Sequence, residues 1–397
     1  MPTKRNIIAI VAALALGAVA LYLTITSAGA ADLGGNCCAD LEERIAELEA
    51  TTARKGNRKV SLTVYGQVNA GLLRVDVEDF TKTSVVQNGT DETFVGFAGA
   101  ARINNELSAG YTIELAYHQL GLLNLPVQSS GLNVRQSFWW LKSANLGTVS
   151  VGRLAQATQN FDRITTANTI PAAKPLSLGA LSDPYLTGID LPFDGHYRDA
   201  VRYDSPTLQG FTLSASWGSS VDGTSSDGNG NTWDAALRYS GDFSGFSVRA
   251  GAGYRHDTDL EINILNVLAL NLPTGDVNTI TLAGSVMHTG SGVFLTANYA
   301  DQDWQDLGFN LRGYALTGGI EQKWFQIGKT TAYGEWNRFD LDPNGGGGGN
   351  IDLWGLGLVQ TIDAAAMDLY VGYRNYDLSD LNTGDLQTIS AGARIQF

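Results

Sequence analysis

Eight arginines, Arg135, Arg198, Arg202, Arg238, Arg249, Arg255, Arg374 and Arg394, sit in stretches where apolar and polar residues alternate, each on the polar side of its stretch. Alternation of period two sends every second side chain to one face of a strand, so these guanidiniums share the hydrated face. The longest connection between alternating stretches, Leu154 to His196, offers the carboxylates Asp162, Asp183, Asp190 and Asp194. Opposed rows of fixed cations and anions, set across a narrow gap with low-dielectric walls, orient dipolar solutes and disfavour apolar ones without making or breaking a bond. Any single one of these residues serves equally well as a partner that holds the base of the connection.

Bond-making chemistry finds little support. The histidines His118, His196, His256 and His288 are scattered, with no HxxxH or HExxH spacing. His256 with Asp257, Asp259 and Glu261 has a metal-like composition but suits a polar loop tip. Gly251-Ala252-Gly253 begins like a dinucleotide fingerprint and then lacks the third glycine and the following helix. No placed Ser and His pair suggests an esterase. Cys37 and Cys38 are adjacent, a spacing that strains a mutual disulfide and is too few ligands for structural zinc. Gly34 and Gly35 stand where a lipoprotein signal wants Leu. The reading therefore has no catalytic residue, no metal and no cofactor. A net charge of −14 also argues against a nucleic-acid partner.

The elements that must position the arginines are strands. The chain has 397 residues with 47 Gly, 15 Tyr, 14 Phe and 8 Trp against 9 Pro and 17% charged residues, and its mean hydropathy is −0.06. A transmembrane barrel looks average by hydropathy because half of each strand faces water. Lys4 and Arg5, an apolar run from Ile7 to Leu23 and Ala28-Gly29-Ala30 read as a cleaved leader over residues 1–30, with an uncleaved anchor helix as the alternative. Loss of its two cations takes the charge to −16. Residues 31–58 form a periplasmic segment containing DLEERIAELEATTARKGNR, in which Leu41, Ile45 and Leu48 form a short heptad seam; it is read either as a periplasmic coiled coil or as a solvated linker helix.

From residue 59 onward, alternation recurs over 60–72, 93–103, 107–118, 133–143, 147–154, 197–205, 209–219, 231–241, 245–256, 276–288, 292–301, 310–322, 328–339, 350–361, 365–376 and 386–397. Tight turns such as Asn104 to Glu106 and Ala144 to Leu146 alternate with long, Gly-rich, acidic connections such as SVDGTSSDGNG. Short turns at one end and long loops at the other predict an all-β, 16-stranded antiparallel transmembrane β-barrel. TTAYGEWNRF and IDLWGLGLVQ alternate imperfectly. Aromatics near segment ends, among them Trp139, Trp140, Trp217, Tyr254, Tyr299, Trp336 and Tyr373, suit the two interfacial girdles of such a barrel. The last segment stops on Phe397 with Ile395, Ala393, Ala391 and Ile389 on its apolar face.

VSLTVYGQVNAGLL, VRQSFWWLKSANLGTVSVGR, YRDAVRYDSPTLQGFTLSASWG and ISAGARIQF resemble, in order and spacing, landmarks of Gram-negative general porins, and FVGFAGAARINNELSAGYTIELAY looks like their second hairpin. The segment at 31–58 resembles the amino-terminal helix of alphaproteobacterial porins. The resemblance covers residues 40 to 397. It implies a homotrimer of outer-membrane barrels passing small hydrophilic solutes, with the third external loop, here 154–196, folded inward. It also implies a basic wall at Arg135 and Arg202 and Phe397 as the signal read by the barrel-assembly machinery; with Arg198 beside them and Asp183, Asp190 and Asp194 of the long connection facing them, these residues are the expected constriction. Partners are then outer-membrane lipids and lipopolysaccharide, which loop carboxylates such as Asp76, Asp301 and Asp303 contact through divalent cations or ignore as solvated groups. Where general porins often carry R-x-G-F-K-G, this chain has Phe94 and Ala98, a thinner basic wall that favours weak cation selectivity. A substrate-selective channel for sugars or oligopeptides, and a structural anchor gripping the cell wall, stand as alternatives.

Overall fold

The computed structural model describes residues 60–77, 80–88, 91–118, 131–176, 195–219, 231–260, 275–305, 308–343, 348–378 and 385–397. The leader, the segment 31–58 with Leu41, Ile45 and Leu48, and the loop acids Asp183, Asp190 and Asp194 lie outside the described residues.

The strands are β1 (Thr63–Val77), β2 (Phe80–Gln87), β3 (Phe94–Arg102), β4 (Leu107–His118), β5 (Gly131–Ser143), β6 (Gly147–Ala155), β7 (Tyr197–Asp204), β8 (Phe211–Ser219) and β9 (Asn231–Phe243). They continue as β10 (Phe246–Leu260), β11 (Gly275–His288), β12 (Val293–Trp304), β13 (Phe309–Phe325), β14 (Gly328–Pro343), β15 (Gly349–Ile362), β16 (Met367–Asp377) and β17 (Leu386–Gln396). From β3 onward each pairs antiparallel with the next, and β17 returns to pair with β1 from Gln67↔Gln396 to Val77↔Leu386. The sheet therefore closes on itself, and among the described residues β2 is the strand with a single partner, β1.

Strands β2 and β3 share one place in the wall: β2 runs along Ala70–Val77 of β1 and β3 along Thr63–Gln67. The wall thus has sixteen positions, as the alternating segments predict. The strand missed in the sequence is Phe80–Gln87, where Thr and Ser stand on both faces and blunt the alternation.

Outward residues such as Val64, Val68 and Leu72 on β1 are about half exposed, as are Trp217, Trp336 and Trp354. Among the predicted girdle residues Trp140 is different: it pairs in register with Gly110 and Ser150 on the inner face, while Trp139 points out.

The inner face is wet only in part. Along β4–β10 its buried residues include Glu114, Arg198, Ser216, Asp234 and Arg255. Along β11–β17 and β1 they include Val277, Trp304, Leu311, Phe339, Ile351, Leu353, Tyr376 and Leu73, which form one apolar cluster with Ala167, Ala172, Ala173 and Leu176 of the long connection. This accounts for the imperfect alternation of β15, whose inner side carries Ile351, Leu353 and Val359; on β14, Tyr333 and Phe339 share the inner face with the polar Thr331, Glu335 and Asn337.

Candidate functional site

After β6 the chain turns into the lumen. Asn160 takes a left-handed conformation (φ 67°), which Asn tolerates, and a single 3-10 turn over Phe161–Arg163 follows. Ala157, Phe161 and Ile164 make an apolar foot that rests on Ala236 of β9 and Ala283 of β11. Between them β10 offers Gly251 and Gly253. A Cβ at Gly251 would lie 2.7 Å from Ile164 Cδ1 and 2.8 Å from Phe161 Cε1, and one at Gly253 2.8 Å from Thr158 Cγ2. The floor is flat because the loop needs the space. Gly251→Leu is therefore expected to lift the foot toward the channel axis, reducing single-channel conductance while destabilising the barrel by only about 1–3 kcal/mol. Bilayer recordings check it, and an unchanged conductance would show that the foot does not border the passage.

A buried irregular segment must find partners for its backbone groups, and this one takes them from the wall. Thr158 donates its N–H and its hydroxyl to Asp234 Oδ2 (2.6 and 2.8 Å), and Gln156 Nε2 donates to Thr232 Oγ1 (2.7 Å). Arg238 donates to the carbonyl of Gln159 (2.7 Å), Arg249 to that of Thr165 (2.5 Å) and Asn298 to that of Phe161 (3.2 Å). Further along, the N–H of Thr166 reaches Ser285 (2.9 Å), that of Asn168 reaches Glu321 (2.9 Å), and that of Leu176 reaches Asn337 (3.1 Å). Asn168 Nδ2 completes the series on Asp368 (2.8 Å). These partners belong to β9 through β14 and β16, so the connection crosses the interior of the barrel.

Of the sequence-derived residues, Arg202 lies on the inner face of β7. It forks onto Asp204 (2.7–3.0 Å) and donates Nη1 to the carbonyls of Ala155 and Gln156 (2.9 and 3.0 Å), where the loop departs. Arg198, two residues earlier, is buried on the same face and in register with Leu154. Beside it, burial together with Arg198 and Arg255 holds His196 well below the ordinary imidazole range, so it is neutral at pH 7. Arg135 stands apart at an irregularity of β5, bound to Glu114 (2.7 Å) and stacked 3.9 Å over Phe94, one of the residues that replace the usual basic pair. Arg202 and Arg198 are thus together at the loop base and Arg135 is a neighbour along the wall. The described loop carboxylate, Asp162, pairs with Lys174 at 2.5 Å.

Sequence reasoning missed Asp91. The chain between β2 and β3 brings this carboxylate into the interior, 4% exposed, where Oδ1 accepts from Arg163 of the loop (2.8 Å) and Oδ2 from Arg394 of β17 (2.6 Å). Nearby Asn88 donates to the carbonyl of Pro171 (2.7 Å). The signal available was the turn composition Asn88-Gly89-Thr90-Asp91 just before the alternating stretch 93–103.

A profile of the family described as Gram-negative porin matches residues 11–394. No curated protein sequence matches the chain. Among solved structures, an anion-selective porin from Comamonas acidovorans is similar at 15% identity, with a TM-score of 0.60, over 85% of this chain and all of that one. A loop-deletion mutant of OmpT, an outer membrane protein of Vibrio cholerae, is similar at 17% identity with a TM-score of 0.58, over 85% of this chain and 100% of that one. OmpF of Salmonella typhi, in complex with daunomycin, is similar at 16% identity with a TM-score of 0.55, over 86% and 99%. At such identities the structural likeness speaks for the fold; the profile, which spans nearly the whole length, speaks for the family. The chain belongs to the Gram-negative porins, and its barrel is an outer-membrane diffusion channel that small hydrophilic solutes cross without chemical change.

Proposed function

We propose that solutes cross this channel at a constriction where Arg135, Arg198 and Arg202 face the loop carboxylates Asp183, Asp190 and Asp194, with a weak preference for cations. The path of residues 156–176 carries the reading. Most of their wall partners run from β9 to β16, with Arg202, Asn88 and Asp91 tying the two ends of the crossing to the rest of the wall, so the side of β3–β7, where the three arginines stand, is the bank with fewest loop contacts. The cation preference follows from the overall acidity of the chain and from Phe94 and Ala98 in place of wall cations.

The channel works as a homotrimer, a reading supported by the trimer form in which OmpT of Vibrio cholerae was solved. Residues 1–30 direct export and are removed. The seam Leu41, Ile45 and Leu48 joins three copies in the periplasm. Phe397, whose N–H and C=O bond Gly66 on β1 (3.1 and 3.0 Å), is what the assembly machinery reads.

The test is the reversal potential across a planar bilayer in a salt gradient. Arg202→Ala removes a cation and uncovers Asp204, so the potential moves toward stronger cation selectivity. An unchanged potential removes Arg202 from the selective field and leaves it as a clip on the loop base.

A further inference from the structure

The inner wall between β1 and β6 carries aromatic rings: Tyr65 meets Phe94 edge-on with ring centroids 6.0 Å apart, and the rung neighbours of Phe138 and Trp140 are small. Tyr65, Gly96, Glu114 and Gln136 lie on one rung of the sheet; Ala98, Thr112, Phe138 and Gly152 lie on the next, and Gly110, Trp140 and Ser150 on the third. Tyr65 lies against the wall over Gly96, where a Cβ would sit 2.5 Å from its Cζ and 2.8 Å from both Cε atoms. The indole of Trp140 covers Gly110 so closely that a Cβ there would meet Cζ2 and Cε2. Phe138 has only Thr112 and Gly152 as rung neighbours. Two-residue steps set Phe138 and Trp140 about 7 Å apart along the strand.

The same construction appears elsewhere in the barrel with a different outcome. Tyr333 lies over Gly357 and Tyr370 over Gly392, but these rings are 5% and 4% exposed and belong to the apolar cluster that the long connection covers. Tyr65, Phe138 and Trp140 remain partly exposed toward the lumen. The covered pair is packing; the open set presents ring surface to whatever passes.

The polar groups beside the rings narrow the ligand class. Glu114 accepts from Tyr65 (2.7 Å), from Arg135 (2.7 and 2.8 Å) and from Gln136 (2.6 Å), so its charge is met by the guanidinium within the cluster. An ion finds this surface already compensated. A flat aromatic molecule would use the rings and ignore the polar edge. An uncharged ring with C–H groups on its faces and hydroxyls around its rim uses both.

We infer that Tyr65, Phe138 and Trp140 form a stacking platform for neutral saccharide rings, with the partly exposed Gln136 and Thr112 as hydrogen-bonding partners, on the side of the barrel that carries the tight turns. This rests on the diffusion-channel reading and adds a transient binding step to it.

The probe is maltotriose, a neutral glucose trimer, added to the purified protein in a planar bilayer. Wild type should show ion-current interruptions that saturate with sugar concentration and that arise faster when sugar is added on the short-turn side. Trp140→Ala should raise the half-blocking concentration about tenfold, the loss expected for one stacking contact, and Phe138→Ala should act in the same direction. Trp140→Phe keeps a ring and should retain most of the block, which separates stacking from a general disturbance. A conducting wild type without block, or a Trp140→Ala channel that blocks like wild type, overturns the platform and leaves the channel reading standing. A protein that passes no ions at all overturns both.

Discussion

Asp91→Ala is expected to lower the stability of the barrel by about 3–5 kcal/mol and to make the open channel noisy. The carboxylate stands between two guanidiniums from opposite parts of the chain, Arg163 of the lumenal loop and Arg394 of the strand that closes the wall. Removing one member of a buried charge cluster leaves the others desolvated without full compensation, and the loss exceeds what the contact itself contributes. Arg394 keeps Asp368 at 2.6 Å, which puts the cost toward the lower end of that range. Asp91→Asn, which keeps one acceptor oxygen and turns an amide donor toward the other guanidinium, should fall between wild type and Asp91→Ala. Denaturant midpoints of the refolded barrel give the energy, and current noise reports the loop. A midpoint within about 0.5 kcal/mol of wild type, the ordinary range for surface changes, would mean that Asp91 holds neither partner.

Arg374→Ala should cost a comparable amount, and a double substitution should recover much of it. Arg374 of β16 meets Glu335 of β14 in a two-pronged contact (2.8 and 2.9 Å) with both side chains nearly inaccessible, 3% and 2% exposed. The two strands are not neighbours. They meet over Gly355 of β15, which is in register with both and where a Cβ would lie 2.7 Å from Glu335 Oε1 and 3.0 Å from Arg374 Cγ. Cutting the pair on one side strands a buried carboxylate, at roughly 3–5 kcal/mol, whereas Arg374→Met with Glu335→Leu removes both charges from an apolar neighbourhood and is expected to be neutral or stabilising. Equal losses in the single and double variants would indicate that the space, not the unpaired charge, sets the energy.

The wall was legible in the sequence because membrane and water impose a period of two on nearly every strand, and because turns and loops alternate in length. Legibility failed where that solvent contrast fails. Phe80–Gln87 carries short polar residues on both faces. Strands β14 and β15 turn Phe339, Leu353 and Val359 to an interior that is dry beneath the loop. The arginines were placed on the correct face by alternation, yet their partners were not visible. Arg238 and Arg249 bond loop carbonyls 79 and 84 residues away, and Asp91 and Arg394 are separated by 303. Gly251-Ala252-Gly253 drew attention as a fragment of a nucleotide fingerprint, whereas its glycines owe their place to the ring of Phe161 lying against them. Nothing local to that tripeptide could have revealed a phenylalanine ninety residues upstream.

The pairing of β1 with β17 has a consequence for biogenesis. Its rungs join residues more than three hundred positions apart, such as Val77 and Leu386, so no local nucleus can form them and the entropy of bringing the two ends together must be met late. Until Leu386–Gln396 arrives, β1 offers a row of unsatisfied amides to any passing strand, including those of another nascent copy. That open edge is therefore the part of the unfinished wall most prone to pairing with the wrong strand, and the hazard ends only when the last strand of the chain docks.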